Sequence, residues 1–458
     1  MMVAGSTTVA TRPESNLLSF NDQGLFLTFR ATDQESIMQA AWIYEHPLDY
    51  DGLRRFHDNF GYGVAGRRIE RSVLPFGRHR WVSSPGPAMG LETSPPRDRS
   101  ELTDWLDERA QLPVDPEWGP GWRIGVLPMT DGSTAVTLTG SHGLGDGIAA
   151  AIQIVQAVLG IRTDLGYPPP HSRTRSRAVI ADLRQAMRDL PETLRALIAL
   201  VKLLGGRQKQ KPPAVAAAPA AGDPHENVML PSVFATLDLA EWDAAAARLG
   251  GNGHSLLAGF AARLARRLGR VDPDDGSVTL LIPISERDSL QDDRANAVTM
   301  ARTKVDPDGI ERDLATARSA MREGVERARR EPDQLAELTA LVPWVPRRAA
   351  KGLADAAFGF TADLPVFCSN VGDLPPDMLR ADGTEAEYLF IRGIDRRVTR
   401  GALERRSGLL TVMAGRVAGR VVMSVISYQP GGVNTKAHLR DAVADALGDY
   451  GLRARIES

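Results

Sequence analysis

Apolar and polar residues change rhythm several times along the chain, and each change marks an element. Thr134-Ala135-Val136-Thr137-Leu138-Thr139 is rich in β-branched residues and bounded by Asp131-Gly132 and Gly140, which predicts a strand. From Ile148 the spacing turns helical, with Ile152, Val155, Val158 and Leu159 on one face. Strand, glycine-rich loop, helix is the local reading. Asp49 to Phe56 reads as the start of a short amphipathic helix. Val233 to Leu237 and Val278 to Ile284 read as strands, and a helix is expected from Ser255 through Leu268, capped by Ser255 or by the loop before it. Near the end, Leu409 to Ala414 and Arg420 to Ser427 flank a turn at Gly415 to Gly419 and predict a hairpin. A last helix is expected over about Thr435 to Leu447.

One stretch follows neither lobe's pattern. It begins at Pro168-Pro169-Pro170 and ends near Pro224, and from Arg173 to Lys211 it carries ten basic and three acidic residues. Leu183, Met187, Leu190, Leu194, Leu197, Val201 and Leu204 recur there at helical spacing. The expectation is a basic amphipathic helix or helix pair, broken near Pro191, followed by a low-complexity linker from Pro212 to Pro219. The chain therefore divides into a loose tail at 1–16, a first lobe at 17–170, a helical crossover and linker at 171–227, and a second lobe at 228–458.

Length and composition agree with that division. At 458 residues the chain exceeds one typical core, and apolar (43%) and charged (24%) fractions are those of a folded soluble protein. Lys and Arg number 55 against 57 Asp and Glu, so nucleic acid is a poor partner for a net charge of −2. Cys368 is the only cysteine, which forbids an intrachain disulfide and fits a reducing cytoplasm. The N-terminus lacks the basic start and apolar run of a secretory signal. No run of 18 apolar residues appears, so a spanning helix is not expected.

The chemistry-bearing segment is Ser141-His142-Gly143-Leu144-Gly145-Asp146-Gly147, placed where the strand ends and the helix begins. A glycine-rich loop there brings a side chain to the sheet edge and leaves room for a ligand. An imidazole can accept a proton from an alcohol as it attacks a carbonyl and return it to the leaving group. No Gly-x-Ser-x-Gly elbow and no cysteine beside a histidine offer a covalent nucleophile. A satisfied surface histidine is the plain alternative. A dinucleotide loop fails because Ile148 occupies the last glycine position, and a metal site at His142 and Asp146 lacks further ligands with paired spacing. Asp146 either orients His142 or, as favoured here, accepts from an arginine and holds the loop.

His142-Gly143-Leu144-Gly145-Asp146-Gly147 resembles the motif of the coenzyme A-dependent acyltransferase superfamily, which includes chloramphenicol acetyltransferases, condensation domains and wax ester synthases. Other segments resemble the wax ester synthase / diacylglycerol acyltransferase branch, in its order: Leu18-Ser19-Phe20-Asn21-Asp22, Ile282-Pro283-Ile284-Ser285-Glu286-Arg287 followed by Asn296-Ala297-Val298, Ser369-Asn370-Val371-Gly372, and Ser424 to Tyr428. The resemblance implies a two-lobed α/β fold, each lobe a mixed sheet with flanking helices, with an active-site tunnel between the lobes. It makes His142 the general base, Asp146 the loop-holding carboxylate with Gly147 behind it, and Arg287 the partner of Asp146. Ser369 and Asn370, with Ser141, would lie near the tunnel or the oxyanion. The family's two adjacent histidines are here Ser141 and His142, and its Asn-Asp pair before the later helix is replaced by Gly253-His254-Ser255.

The implied reaction moves an acyl group, in the leading reading a fatty one, from acyl-coenzyme A or an acyl-carrier protein to an alcohol such as a fatty alcohol or diacylglycerol. No resident cofactor and no metal are expected. A natural-product ester- or amide-forming enzyme and a non-catalytic acyl-binding paralogue stand as alternatives. For 173–211 three uses stay open: docking on the inner membrane face, ordinary packing on the protein, or recruitment of coenzyme A phosphates or a carrier's acidic face.

Overall fold

The computed structural model describes residues 6–10, 15–206, 222–289, 292–331, 338–345 and 364–458. The Pro/Ala-rich stretch 212–219 and the side chain of Leu204 lie outside the described residues. Two mixed sheets dominate. The five-stranded sheet runs in the order Tyr388–Arg396, Glu35–Tyr44, Thr134–Ser141, Trp122–Pro128, Glu92–Thr93. In the seven-stranded sheet the order is Val298–Val305, Val278–Ser285, Val366–Asp373, Leu409–Val417, Arg420–Tyr428, Ser232–Asp238, Arg455–Glu457.

Membership of the first sheet departs from position along the chain. Tyr388–Arg396 belongs to the second half by sequence, yet pairs antiparallel with Glu35–Tyr44 along its whole length, from Tyr388 opposite Ile43 to Arg396 opposite Glu35. Both flanks of Glu35–Tyr44 are thus occupied, and its residues from Gln39 to Tyr44 are all buried. The sheets also meet through side chains. Phe234 stacks on Phe390 at 4.7 Å between centroids, and the buried Arg392 donates to Gln39 Oε1 (2.8 Å), Asp107 Oδ1 (2.7 Å) and the Ser232 hydroxyl. Three acceptors on Nε and Nη1 offset much of the cost of burying this guanidinium, whose Nη2 has no hydrogen-bond partner among the described residues.

Several local readings are sharpened. Of the two caps expected, the loop before the helix supplies it: Asn252 caps Gly253–Arg267, its side chain accepting from Ser255 N–H while Ser255 Oγ accepts from Asn252 N–H, a reciprocal box in which Ser255 is the third helical residue. The helix Gly147–Val158 buries Ala149, Gln153, Ile154 and Ala157 most fully, with Val155 and Val158 of the expected face packed partly buried against the core and Leu159 54% exposed; Gln153 is held inside by donating to Phe60 O at 3.2 Å. The tail is partly structured, since Thr7–Ala10 pairs parallel with Ile161–Asp164. The helix Arg175–Gly206 also runs on through Pro191. Proline there frees only the carbonyl of Met187, and both residues face solvent, so water satisfies what the helix loses.

No helix among the described residues is long and apolar enough to cross a membrane.

Candidate active site

Thr134–Ser141 ends at the sheet edge and the chain turns into the helix Gly147–Val158 within five residues. Asp146 makes that turn possible. It caps the helix, with Oδ1 accepting from Ala149 N–H at 2.9 Å, and its other oxygen accepts from Arg287 Nη2 at 2.8 Å and from Ala297 N–H at 2.9 Å. The Asp146 N–H donates to Ala295 O at 2.9 Å. Arg287 in turn donates to the carbonyls of Asp292, Arg294 and Ala295, each at 2.9 Å. Both side chains are nearly inaccessible, at 5% for Asp146 and 4% for Arg287. Residues 286–289 and 292–297 of the second half thus strap the loop of the first half. Arg67 tightens the same strap by donating to Leu144 O and Asp293 O, and Asn296 donates to the buried Asp22.

Within the loop, Ser141 is buried and its hydroxyl accepts from Gly143 N–H at 3.2 Å. Gly143 is pressed closely from outside: a Cβ there would lie 3.2 Å from the Pro116 ring and 3.3 Å from Ser141 Oγ. Gly147, by contrast, is exposed and faces open space.

His142 is half-buried, and its N–H donates to Ser36 O at 2.9 Å, continuing the pairing of Ile37 with Ser141 by one residue. Ser36 stands opposite Asp395 on its other side. Asp395 and Ser36, opposite each other on neighbouring strands, therefore stand in line with His142, one residue past the end of the third. Burial pushes the Asp395 carboxyl above the ordinary carboxylate range, while Arg406, the Ser36 hydroxyl and His142 pull it the other way. The Nδ1 of His142 is buried without a hydrogen-bond partner among the described residues. An imidazole held by its backbone, beside a carboxylate that feels its charge, is equipped to take up and release a proton.

Two further sequence candidates are carried by the second sheet. Ser369 and Asn370 lie half-buried on Val366–Asp373, where Asn370 Oδ1 accepts from Gly372 N–H and Nδ2 meets the exposed His254 Nδ1 at 3.0 Å. Among the described residues no hydrogen bond joins either to His142. Cys368 is fully buried on the same strand, and burial raises its thiol to about 12. No group of three metal-ligating side chains forms among the described residues. Two surface grooves, of about 680 and 770 Å³, flank the Arg175–Gly206 helix rather than His142. Asp395 and Ser36 went unnoticed in the sequence. The available signal was a carboxylate inside the apolar strand Tyr-Leu-Phe-Ile-Arg-Gly-Ile-Asp.

Two mixed sheets with flanking helices, the first sheet taking one strand from the second half of the chain, match the fold of solved condensation-domain structures. Solved structures similar over nearly the whole chain include the first condensation domain of the CDA synthetase, with a TM-score of 0.56, 12% identity, and 96% of this chain and 99% of that chain covered. The wax ester synthase/diacylglycerol acyltransferase from Marinobacter aquaeolei VT8 aligns with a TM-score of 0.52 and 17% identity over 95% of this chain and 100% of that chain. The epimerization domain from the third module of tyrocidine synthetase B aligns at 0.51 and 14%, covering 98% of each. No protein-family model and no curated protein matches the sequence.

Proposed function

We propose that the chain is an acyltransferase in which His142 takes the proton from a hydroxyl or amine as that acceptor attacks an acyl thioester. The new oxygen–carbon or nitrogen–carbon bond forms as the carbon–sulfur bond breaks, and the imidazolium returns the proton to the departing thiolate. No covalent enzyme intermediate is required, because a thiolate leaves readily. The observation that carries this reading is the immobilised loop: Asp146 and Arg287 clamp it, and the line with Ser36 and Asp395 holds the one titrating side chain it presents. Structural similarity to a condensation domain and to a wax ester synthase/diacylglycerol acyltransferase supports the same class. The donor in this reading is an acyl-coenzyme A or a carrier-bound acyl group, reaching His142 between the two sheets, and the leading acceptor is an alcohol such as a fatty alcohol or diacylglycerol. Asp395 acts through His142 by stabilising the imidazolium, as a positioning residue.

Thiol release tests this directly, using acyl-coenzyme A donors of rising chain length with and without long-chain alcohols, diacylglycerol and amines. Release is expected to need both partners and to vanish in His142→Ala, with the thermal midpoint unchanged. Full turnover in that variant would sink the proposal.

A further inference from the structure

The Arg175–Gly206 helix packs on the protein with the wrong face for a soluble helix. Its buried positions include Ala178, Asp182 and Ala196, and Gln185, Asp189 and Thr193 are half-covered on the same side. Ion pairs help to dock it, since Asp182 pairs with Arg80 and with Arg173 (2.9 Å) and Asp189 with Arg78 (3.3 Å), and the short helical turn Leu338–Trp344 also packs against it. The apolar side points outward. Leu183, Met187, Leu190, Leu194, Ile198 and Val201 are 47–68% exposed. At 100° per residue these six fall within about 80° of arc, and from Leu183 to Val201 they form a ridge about 27 Å long.

Charge is distributed just as unevenly. Arg177, Arg184, Arg188, Arg195 and Lys202 are all exposed and lie along one flank of the ridge, whereas two of the helix's three carboxylates face the protein and only Glu192 faces water. Arg184 and Arg188 make no ion pair among the described residues. Both line the groove of about 680 Å³ that opens beside the ridge, with Arg80 on its far wall. A straight, convex apolar edge flanked by cations suits a plane better than a peptide or a socket, since it has no concave face to enclose a partner.

We propose that this helix docks the protein on an anionic lipid bilayer, the ridge entering the acyl boundary and the arginine flank with its groove taking lipid phosphates. The proposal does not depend on the acyl-transfer reading, because no residue of the ridge belongs to the His142 site. The binding energy has two parts with different signatures: the apolar part is indifferent to salt, and the cationic part is screened by it.

Flotation of the full chain with vesicles of phosphatidylcholine alone, or mixed with phosphatidylglycerol, tests it. The protein is expected to float with the mixed vesicles, less so at high salt, and weakly with phosphatidylcholine alone. Arg184→Ala and Arg188→Ala should each weaken partitioning about fivefold near an anionic surface. Met187→Glu with Leu194→Glu should abolish it. All four positions face solvent, so an unchanged thermal midpoint is expected and is measured alongside. Absence of flotation with either vesicle would overturn the proposal, as would equal flotation of the glutamate variant. Self-association lost in the glutamate variant, without vesicle binding, would also overturn it by making a second copy of the chain the occupant.

Discussion

Removing the guanidinium of Arg287 leaves the Asp146 carboxylate buried with only backbone donors. Such a loss costs about 3–5 kcal/mol, so Arg287→Ala should lower the urea midpoint strongly and abolish thiol release. Asp395 behaves in the opposite sense. Its folded carboxyl titrates above the ordinary value, so the native state binds that proton more readily than the unfolded chain, and the site favours folding less as pH rises past about 3.9. Asp395→Asn should therefore raise the urea midpoint at neutral pH, with the advantage fading as pH falls to about 4. The same variant should lower turnover, because the imidazolium loses its carboxylate, and Asp395→Glu should restore part of it. A purely structural Asp395 would change turnover only in step with the folded fraction. The motif from His142 to Gly147 could be read locally, and so could Arg287 as a candidate partner, because each lies in a short, ordered string of residues. The line through Ser36 and Asp395 could not, since it depends on strand pairing across hundreds of residues, and no local spacing encodes it.

Among the elements, Val278–Ser285, the hairpin Leu409–Val417 with Arg420–Tyr428, and the helix Lys436–Gly448 were legible from β-branched runs, turn residues and period, although Arg420–Tyr428 is buried on both faces. The Arg175–Gly206 helix was legible as amphipathic but not in its orientation. Period states that two faces differ, and only the surrounding residues decide which is inside; here Arg78, Arg80 and Arg173 select the acidic one. Its attachment should accordingly be sensitive to acid. Burial works against the Asp182 carboxylate, but hydrogen bonds from Ser72 and Arg173 and the charges of Arg80 and Arg173 hold it below its usual value. A carboxyl depressed in the folded state contributes stability that is present above the unfolded value of about 3.9 and lost as pH falls through the folded one. Amide exchange along 178–202 should rise below about pH 4 in the native chain, while Asp182→Asn should show fast exchange already at neutral pH.

For the molecule as a whole, the strand that the second half lends to the first sheet makes the halves interdependent. Residues 1–206 made alone would lack Tyr388–Arg396, the strap built from 286–289 and 292–297, and the partners of Asp107 and Gln39. They are expected to give no cooperative unfolding transition, and adding 222–458 should restore one, read by near-ultraviolet circular dichroism. Such a topology also sets a timetable for synthesis. Gln39 and Arg392 stand 353 positions apart, so at about 5–20 residues per second the ribosome needs roughly 20 to 70 seconds to deliver the second neighbour of Glu35–Tyr44. Throughout that interval a nascent strand rich in Ala, Ile, Trp and Tyr has one row of backbone donors and acceptors open to any passing chain. The nascent protein is thus a natural client for chaperones that shield unpaired strand edges, and slow production in a crowded host should yield inclusion bodies unless they are supplied.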